Sequence, residues 1–165
     1  MKRTMIFLLC IAAALSFTAC SGGNTDSTTG SSSGSVQIAN PIVDCDTLED
    51  AAELTGFDMT APDAIGEFTD CTIQVINNEL IQVIYQNGYN QICVRKASGS
   101  DDISGDYNEY AESNTVSVGD LQVTMKGADG TVNVAVWTND GYSYSVQTAS
   151  GLSSSAMSDL ITGIY

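Results

Sequence analysis

Ile73-Gln74-Val75-Ile76 recurs eight residues on as Ile81-Gln82-Val83-Ile84, with Asn77-Asn78-Glu79 between the copies. Alternating β-branched and polar residues on either side of a turn-forming cluster predict the two arms of a β-hairpin. Closed by that three-residue loop, the hairpin puts Cys71, Ile73 and Val75 on one face with Ile81, Val83 and Tyr85, and leaves Gln74 and Gln82 on the other. Next along the chain, Asn87-Gly88 is a strong hairpin signal. A turn on those two residues sets Ile92 opposite Val83 and Val94 opposite Ile81, completing an apolar face and sending Cys93 to the Gln82 side. Cys71 and Cys93 then point apart, a geometry no disulfide can bridge.

Thr115 to Val118 and Leu121 to Lys126 also read as strands, and Ala128-Asp129-Gly130 turns into Thr131 to Thr138. Asn139-Asp140-Gly141 turns again into Tyr142 to Thr148. Read as a three-residue loop, that turn places Val134 and Val136 toward Val146 and Tyr144, with Trp137 and Ala135 on the opposite face. Ser153 then caps a last helix whose stripe is Ala156, Met157, Leu160, Ile161 and Ile164. Upstream of the hairpin, Asp46-Thr47-Leu48-Glu49 has the capping-box pattern. Leu48, Ala51, Ala52 and Leu54 follow at helical spacing, Gly56 stops the helix, and Phe57 to Pro62 makes an irregular crossing. Together these elements predict an α+β fold: a mainly antiparallel, curved sheet of about six to seven strands, with an N-terminal and a C-terminal helix packed on one face. The other face, carrying Gln74, Gln82, Cys93 and Trp137, is expected to be partly wet or to line a groove.

The N-terminus carries an address. Lys2 and Arg3 precede an apolar run from Met5 to Leu15, and Phe17-Thr18-Ala19-Cys20 forms a small-residue cleavage site. Residues 1–19 therefore read as a lipoprotein signal peptide, with lipidation at Cys20, whose thiol is the nucleophile able to carry a diacylglyceryl group. The apolar run is well short of the roughly 20 residues a membrane span needs. Phe17, where a lipobox favours Leu, Val or Ile, leaves an ordinary secretory signal as the competing reading. Residues 20–36, rich in Gly, Ser and Thr, read as a flexible tether with a reach of roughly 20–25 Å. Residues 37–165 form the single extracytoplasmic domain. The expected location is the cell membrane or envelope, lipid-anchored on its outer side.

Charge narrows the partners. Cleavage removes Lys2 and Arg3 and takes the formal charge from −15 to −17, leaving only Arg95, Lys96 and Lys126 as cations against 20 acids. Nucleic acid is excluded as a partner, because phosphate contacts need clustered Lys and Arg. Three cysteines remain in the domain, Cys45, Cys71 and Cys93, so at least one is unpaired within the chain. Either Cys45 bonds Cys71, or all three are free thiols.

From about Leu48 to Ile164 the chain resembles a domain-of-unknown-function family found on bacterial lipoproteins and on the outer side of membrane-anchored, anti-sigma-factor-like proteins. The residues that carry the resemblance are Ala52 with Gly56-Phe57 and Pro62, Val83-Ile84-Tyr85 before Asn87-Gly88, and Ile92-Cys93-Val94-Arg95-Lys96. Val136-Trp137 with Gly141 and Tyr144, followed by Gly151-Leu152-Ser153, completes it. The resemblance implies an extracytoplasmic location and an architecture, and carries no catalytic residue with it.

Ser98 to Asn114 concentrates five carboxylates. Asp101, Asp102, Asp106 and Glu109 are the candidate metal ligands, because hard cations take six to eight oxygens. Their spacing departs from the EF-hand pattern, and a solvated acidic loop is the competing reading. Tyr107 and Tyr110 either pack on the sheet or form an interaction surface. Enzymatic chemistry is disfavoured: without histidine there is no Ser-His-Asp triad, no Cys-His pair and no imidazole zinc ligand. No cofactor is implied. The expected function is a non-enzymatic interaction or sensing module that meets another envelope protein, attached to the membrane through its lipid anchor. The alternative is a carrier or binder of a lipid or other hydrophobic ligand in a sheet-helix pocket, with Phe57, Met59, Met125, Trp137 and Met157 as either lining or plain core.

Overall fold

Five tight turns build most of the molecule. The computed structural model describes residues 40–165; the stretches read as signal peptide and tether, with Cys20, lie outside the described residues. The elements are β1 (Ile42–Cys45), α1 (Leu48–Thr55), β2 (Asp70–Ile76), β3 (Leu80–Asn87), β4 (Asn90–Ser98), β5 (Glu112–Val118), β6 (Leu121–Ala128), β7 (Thr131–Asn139), β8 (Tyr142–Ser153) and α2 (Ser154–Ile161). All strands belong to one antiparallel sheet of eight, in the order β1-β2-β3-β4-β8-β7-β6-β5. Two four-stranded meanders are thus joined along a β4–β8 seam. The class is α+β, as expected, but the strand count exceeds six to seven and the first helix follows a strand. The extra strand, β1, has four residues and pairs with β2 across a long connection, so no local turn signal marks it.

The register of the first hairpin is the expected one: Val75 pairs with Ile81, Ile73 with Val83 and Cys71 with Tyr85. The second slips by two residues. Asn87 pairs with Asn90, so Gly88 and Tyr89 form the loop, and Val83 meets Val94 while Tyr85 meets Ile92. Of these two loop residues only Gly88 has a positive φ, which suits a type II′ turn beginning at Gly88 rather than a type I′ turn on Asn87-Gly88. A two-residue slip keeps every side chain on its face. Ile81 consequently faces Lys96, which places a cation on the apolar side.

The last hairpin slips by one residue, and its faces exchange. Asn139 pairs with Tyr142, leaving only Asp140 and Gly141 in the loop, at φ values of 50° and 84°. Positive φ at both central residues is the type I′ geometry, which fits the twist of paired strands better than a three-residue loop. Trp137 therefore faces Tyr144 and Ala135 faces Val146 on the helix side, whereas Val134 and Val136 occupy the other face. The Trp137 and Tyr144 rings stack with centroids 5.3 Å apart and planes 6° apart.

Both helices cover the same face. The N-cap of α1 is Thr47, and the capping box closes on Asp50, one residue later than the sequence pattern suggested. Gly56 ends the helix in the left-handed conformation. Ser153 caps α2 as expected, and Met157, Leu160, Ile161 and Ile164 are buried while Ala156 is exposed. Under the helices a single core joins Ala51, Phe57, Val75, Ile81, Val83, Tyr85, Ile92, Val94, Trp137 and Val146. No helix among the described residues is long and apolar enough to cross a membrane.

The acidic segment crosses part of the second face. From β4, in the middle of the sheet, residues 99–111 run as a strap to β5 at the far edge. The Arg95 guanidinium rises from β4 and donates to the carbonyls of Ile103 and Ser104, and Ser104 is buried. A Cβ on Gly105, whose φ is 65°, would stand 2.6 Å from Arg95 Nη1, so a larger residue there must push the guanidinium aside. From Arg95 a polar row runs the other way across four strands, β4 to β1. Arg95 Nε donates to Gln82 Oε1 at 2.7 Å, Gln82 Nε2 to Gln74 Oε1 at 2.9 Å, and Gln74 Nε2 to Asp44 Oδ1 at 2.8 Å. Gln82, the buried amide of the row, is partnered at both its oxygen and its nitrogen and avoids the cost of an unmade bond.

Candidate functional site

The strap carries all the candidate site residues of the acidic segment, and the sheet separates them. Asp102 accepts from the Ser104 amide at 2.9 Å and from Lys126 Nζ at 2.8 Å. Burial pushes its carboxyl up, but these hydrogen bonds and the Lys126 charge outweigh it, and the group titrates below the usual carboxylate range. Asp106 accepts from the Asn108 amide and from Gln147 Nε2 at 2.8 Å, from Tyr110 at 2.9 Å and from Asn108 Nδ2 at 3.3 Å. Its burial also raises the carboxyl, and the four hydrogen bonds again carry it below the ordinary value. Burial and the Asp106 carboxylate push the Tyr110 hydroxyl up. Asp101 and Glu109 are exposed, with no side-chain hydrogen bond among the described residues. No group of three or more His, Cys, Asp or Glu side chains able to hold a metal occurs among the described residues. Asp102 and Asp106 fasten the strap at two separate points.

Tyr107 and Tyr110, neighbours on the strap, have opposite environments. Tyr110 is half-buried against Asp106, while Tyr107 stands in solvent at 97% exposure. Tyr89, on the β3–β4 turn, is as exposed as Tyr107. Between strap and sheet, at the Asp106 end, lies a groove of about 300 Å3 walled by Gln91, Asp106, Asn108, Tyr110, Asn133 and Gln147. Reading the sequence missed its amide walls. Gln91 and Gln147 have the same strand parity as Cys93, which was a usable signal once the turn registers are known. Asn133 sits at the β7–β8 irregularity, where parity breaks down.

A larger groove of about 560 Å3 opens at the other end, between Phe57, Leu80, Ala97 and Ile103, with Asn78 and Glu79 at its rim. The five residues considered as cavity lining are all buried in the core under the helices. Beside Phe57 sits Lys96, whose Nζ donates to the Asp58 carbonyl at 2.6 Å and lies 4.6 Å from the centre of the Tyr142 ring and 5.2 Å from that of Tyr144. Burial lowers its pKa, opposed by the Asp58 charge. Aromatic faces and one carbonyl stand in for water around the ammonium.

The three thiols are free, so the Cys45–Cys71 pairing is not formed. Burial raises each pKa: Cys45 is raised further by Asp50, Asp44 and Asp46, Cys71 by Asp63, and Cys93 rises despite the neighbouring Arg95. Raised thiols are weak nucleophiles near neutral pH, since the reactive form is the thiolate. No protein-family model, no curated protein and no solved structure matches this chain.

Proposed function

We propose that this chain is a lipid-anchored, extracytoplasmic and non-enzymatic interaction or sensing module of the bacterial cell envelope. The exposed features of the domain carry this reading: helices fill one face of the sheet and the strap crosses the middle of the other, so recognition falls to the outer surface. There, Tyr89 and Tyr107 project into solvent, and the outer edges of β1 and β5 have no strand partner among the described residues. Exposed tyrosines supply flat, amphipathic contact area, and unpaired edges accept a partner strand. The raised thiols and the absence of histidine support a non-enzymatic role. The lipobox-like Phe17-Thr18-Ala19-Cys20 and the resemblance to membrane-anchored extracytoplasmic proteins support the location.

A photo-cross-linking side chain placed at Tyr89 or Tyr107 in cells should give a discrete adduct with another envelope protein. The same probe at the exposed helix residue Asp159, away from both sheet edges, should not. Loss of palmitate labelling in Cys20→Ala tests the anchor. A carrier of a lipid or other hydrophobic ligand is the second reading, favoured by the groove between Phe57, Leu80 and Ala97. Native mass spectrometry of the chain from its own envelope separates the two: a reproducible extra mass that extracts as lipid supports the carrier and counts against the module.

A further inference from the structure

The groove beside Asp106 has walls with a consistent polarity. Asn133 Nδ2 donates to the carbonyls of Thr148 and Ala149 at 3.2 and 3.1 Å, so both its hydrogens are engaged. The Nε2 of Gln147 and the Nδ2 of Asn108 both donate to Asp106. In all three amides the amino end is held within the protein, while the carbonyl oxygen accepts no hydrogen bond among the described residues. An amide carbonyl has two lone pairs, so each wall retains accepting capacity at a fixed position. A ligand suited to this groove brings donors.

Charge decides which donors. No Lys or Arg lines the groove, and the chain is strongly acidic, so phosphate and carboxylate groups find no counter-charge. Asp106 is the one ionised wall, and it already accepts four hydrogen bonds from Asn108, Gln147 and Tyr110. A hard cation needs more oxygens than one satisfied carboxylate and its neighbours supply. Hydroxyl groups meet the requirement, since each donates one hydrogen bond without bringing a charge. Tyr110, half-buried in the groove wall, adds a ring to these hydrogen-bonding amides, and together they suit a ligand with alternating apolar and hydroxylated faces. The volume is at the lower end of small-ligand sites, about 300–1,000 Å3.

We propose that this groove binds a neutral, polyhydroxylated ligand, a glycan segment outside the cell, through the Asn108, Asn133 and Gln147 carbonyls with the Tyr110 ring in its wall. The inference rests on the reading of the chain as an extracytoplasmic binding module, and names a ligand class for it.

The test titrates the full chain, purified in mild detergent with EDTA, against maltohexaose, cellohexaose, mannohexaose and N-acetylchitohexaose by calorimetry and saturation-transfer NMR. At least one should bind with a Kd of roughly 0.01–1 mM. The affinity should hold as salt is raised, and Asn108→Ala and Gln91→Ala should each weaken it at least tenfold. Both side chains are exposed, so the variants keep the fold, which circular dichroism checks. Failure of all four glycans to bind overturns the proposal, as does binding that survives both substitutions or that requires calcium. Spermine binding at the same residues, lost at high salt, overturns it in favour of a cationic ligand. If the glycans fail while the envelope cross-links persist, only this inference falls; if both fail, the module reading falls too.

Discussion

Replacing Trp137 with alanine tests the exchange of faces in the last hairpin. Trp137 is 4% exposed and is the only tryptophan in the chain. Truncating a buried Trp costs about 3–5 kcal/mol through lost burial and the cavity left behind. The near-parallel stack on Tyr144, worth about 0.5–1.5 kcal/mol beyond burial, favours the upper half of that range. For a domain of this size the melting temperature should fall by about 10–20 °C. Val136, one residue away, points to the strap side and is half-buried, so Val136→Ala should cost only about 1 kcal/mol. Urea unfolding followed by far-ultraviolet circular dichroism measures both variants on the same scale. In the unsubstituted protein the single Trp should emit at short wavelength and resist acrylamide. A small loss for Trp137→Ala together with a larger one for Val136→Ala would refute the assigned register.

Three further outcomes follow from the same geometry. A Cβ on Gly127 would stand 1.9 Å from the Thr131 carbonyl oxygen at the β6–β7 irregularity, so Gly127→Ala should destabilise by at least about 2 kcal/mol in urea unfolding. Asp102 and Asp106 have folded pKa values below their unfolded ones. Their stabilisation is therefore present above about pH 4 and is lost as pH falls through the lower folded values; Asp102→Asn with Asp106→Asn should flatten the acid limb of a urea-midpoint-against-pH curve. With iodoacetamide the exposed Cys71 should be alkylated well before the buried Cys93, which should react only on unfolding; peptide mass mapping reads the order.

Legibility from sequence followed the turns. Repeated Ile-Gln-Val-Ile around Asn77-Asn78-Glu79 gave strands, register and faces together, because every pairing there is local. Asn87-Gly88 and Asn139-Asp140-Gly141 announced hairpins but left the loop boundary open by one or two residues. A slip of two at Gly88 was harmless, and a slip of one at Asp140 moved Trp137 across the sheet. β1 and the β4–β8 seam depend on partners far away in the chain, which no short window reveals. The acidic segment was legible as a unit and misread in part: its charge suggested solvent, whereas Arg95, Lys126 and Gln147 hold it against the sheet. The groove required three separate strands and the strap to be in place before its amides met.

Five of the strand pairings close through turns of two or three residues, and the β4–β8 seam alone joins the two meanders. Each half can therefore organise early from nearby residues, and the slow event in folding is the zipping of Ile92, Val94 and Lys96 against Thr148, Val146 and Tyr144. The strap lies inside the loop which that event closes. Closure entropy grows only logarithmically, about 0.6 kcal/mol per doubling of loop length, so lengthening the strap at its exposed tip near Tyr107 should barely slow assembly. A side chain too large for the seam should slow it directly. Length is thus the cheap variable in this architecture, and the strap's outer surface is where the chain can change with least consequence for reaching its folded state.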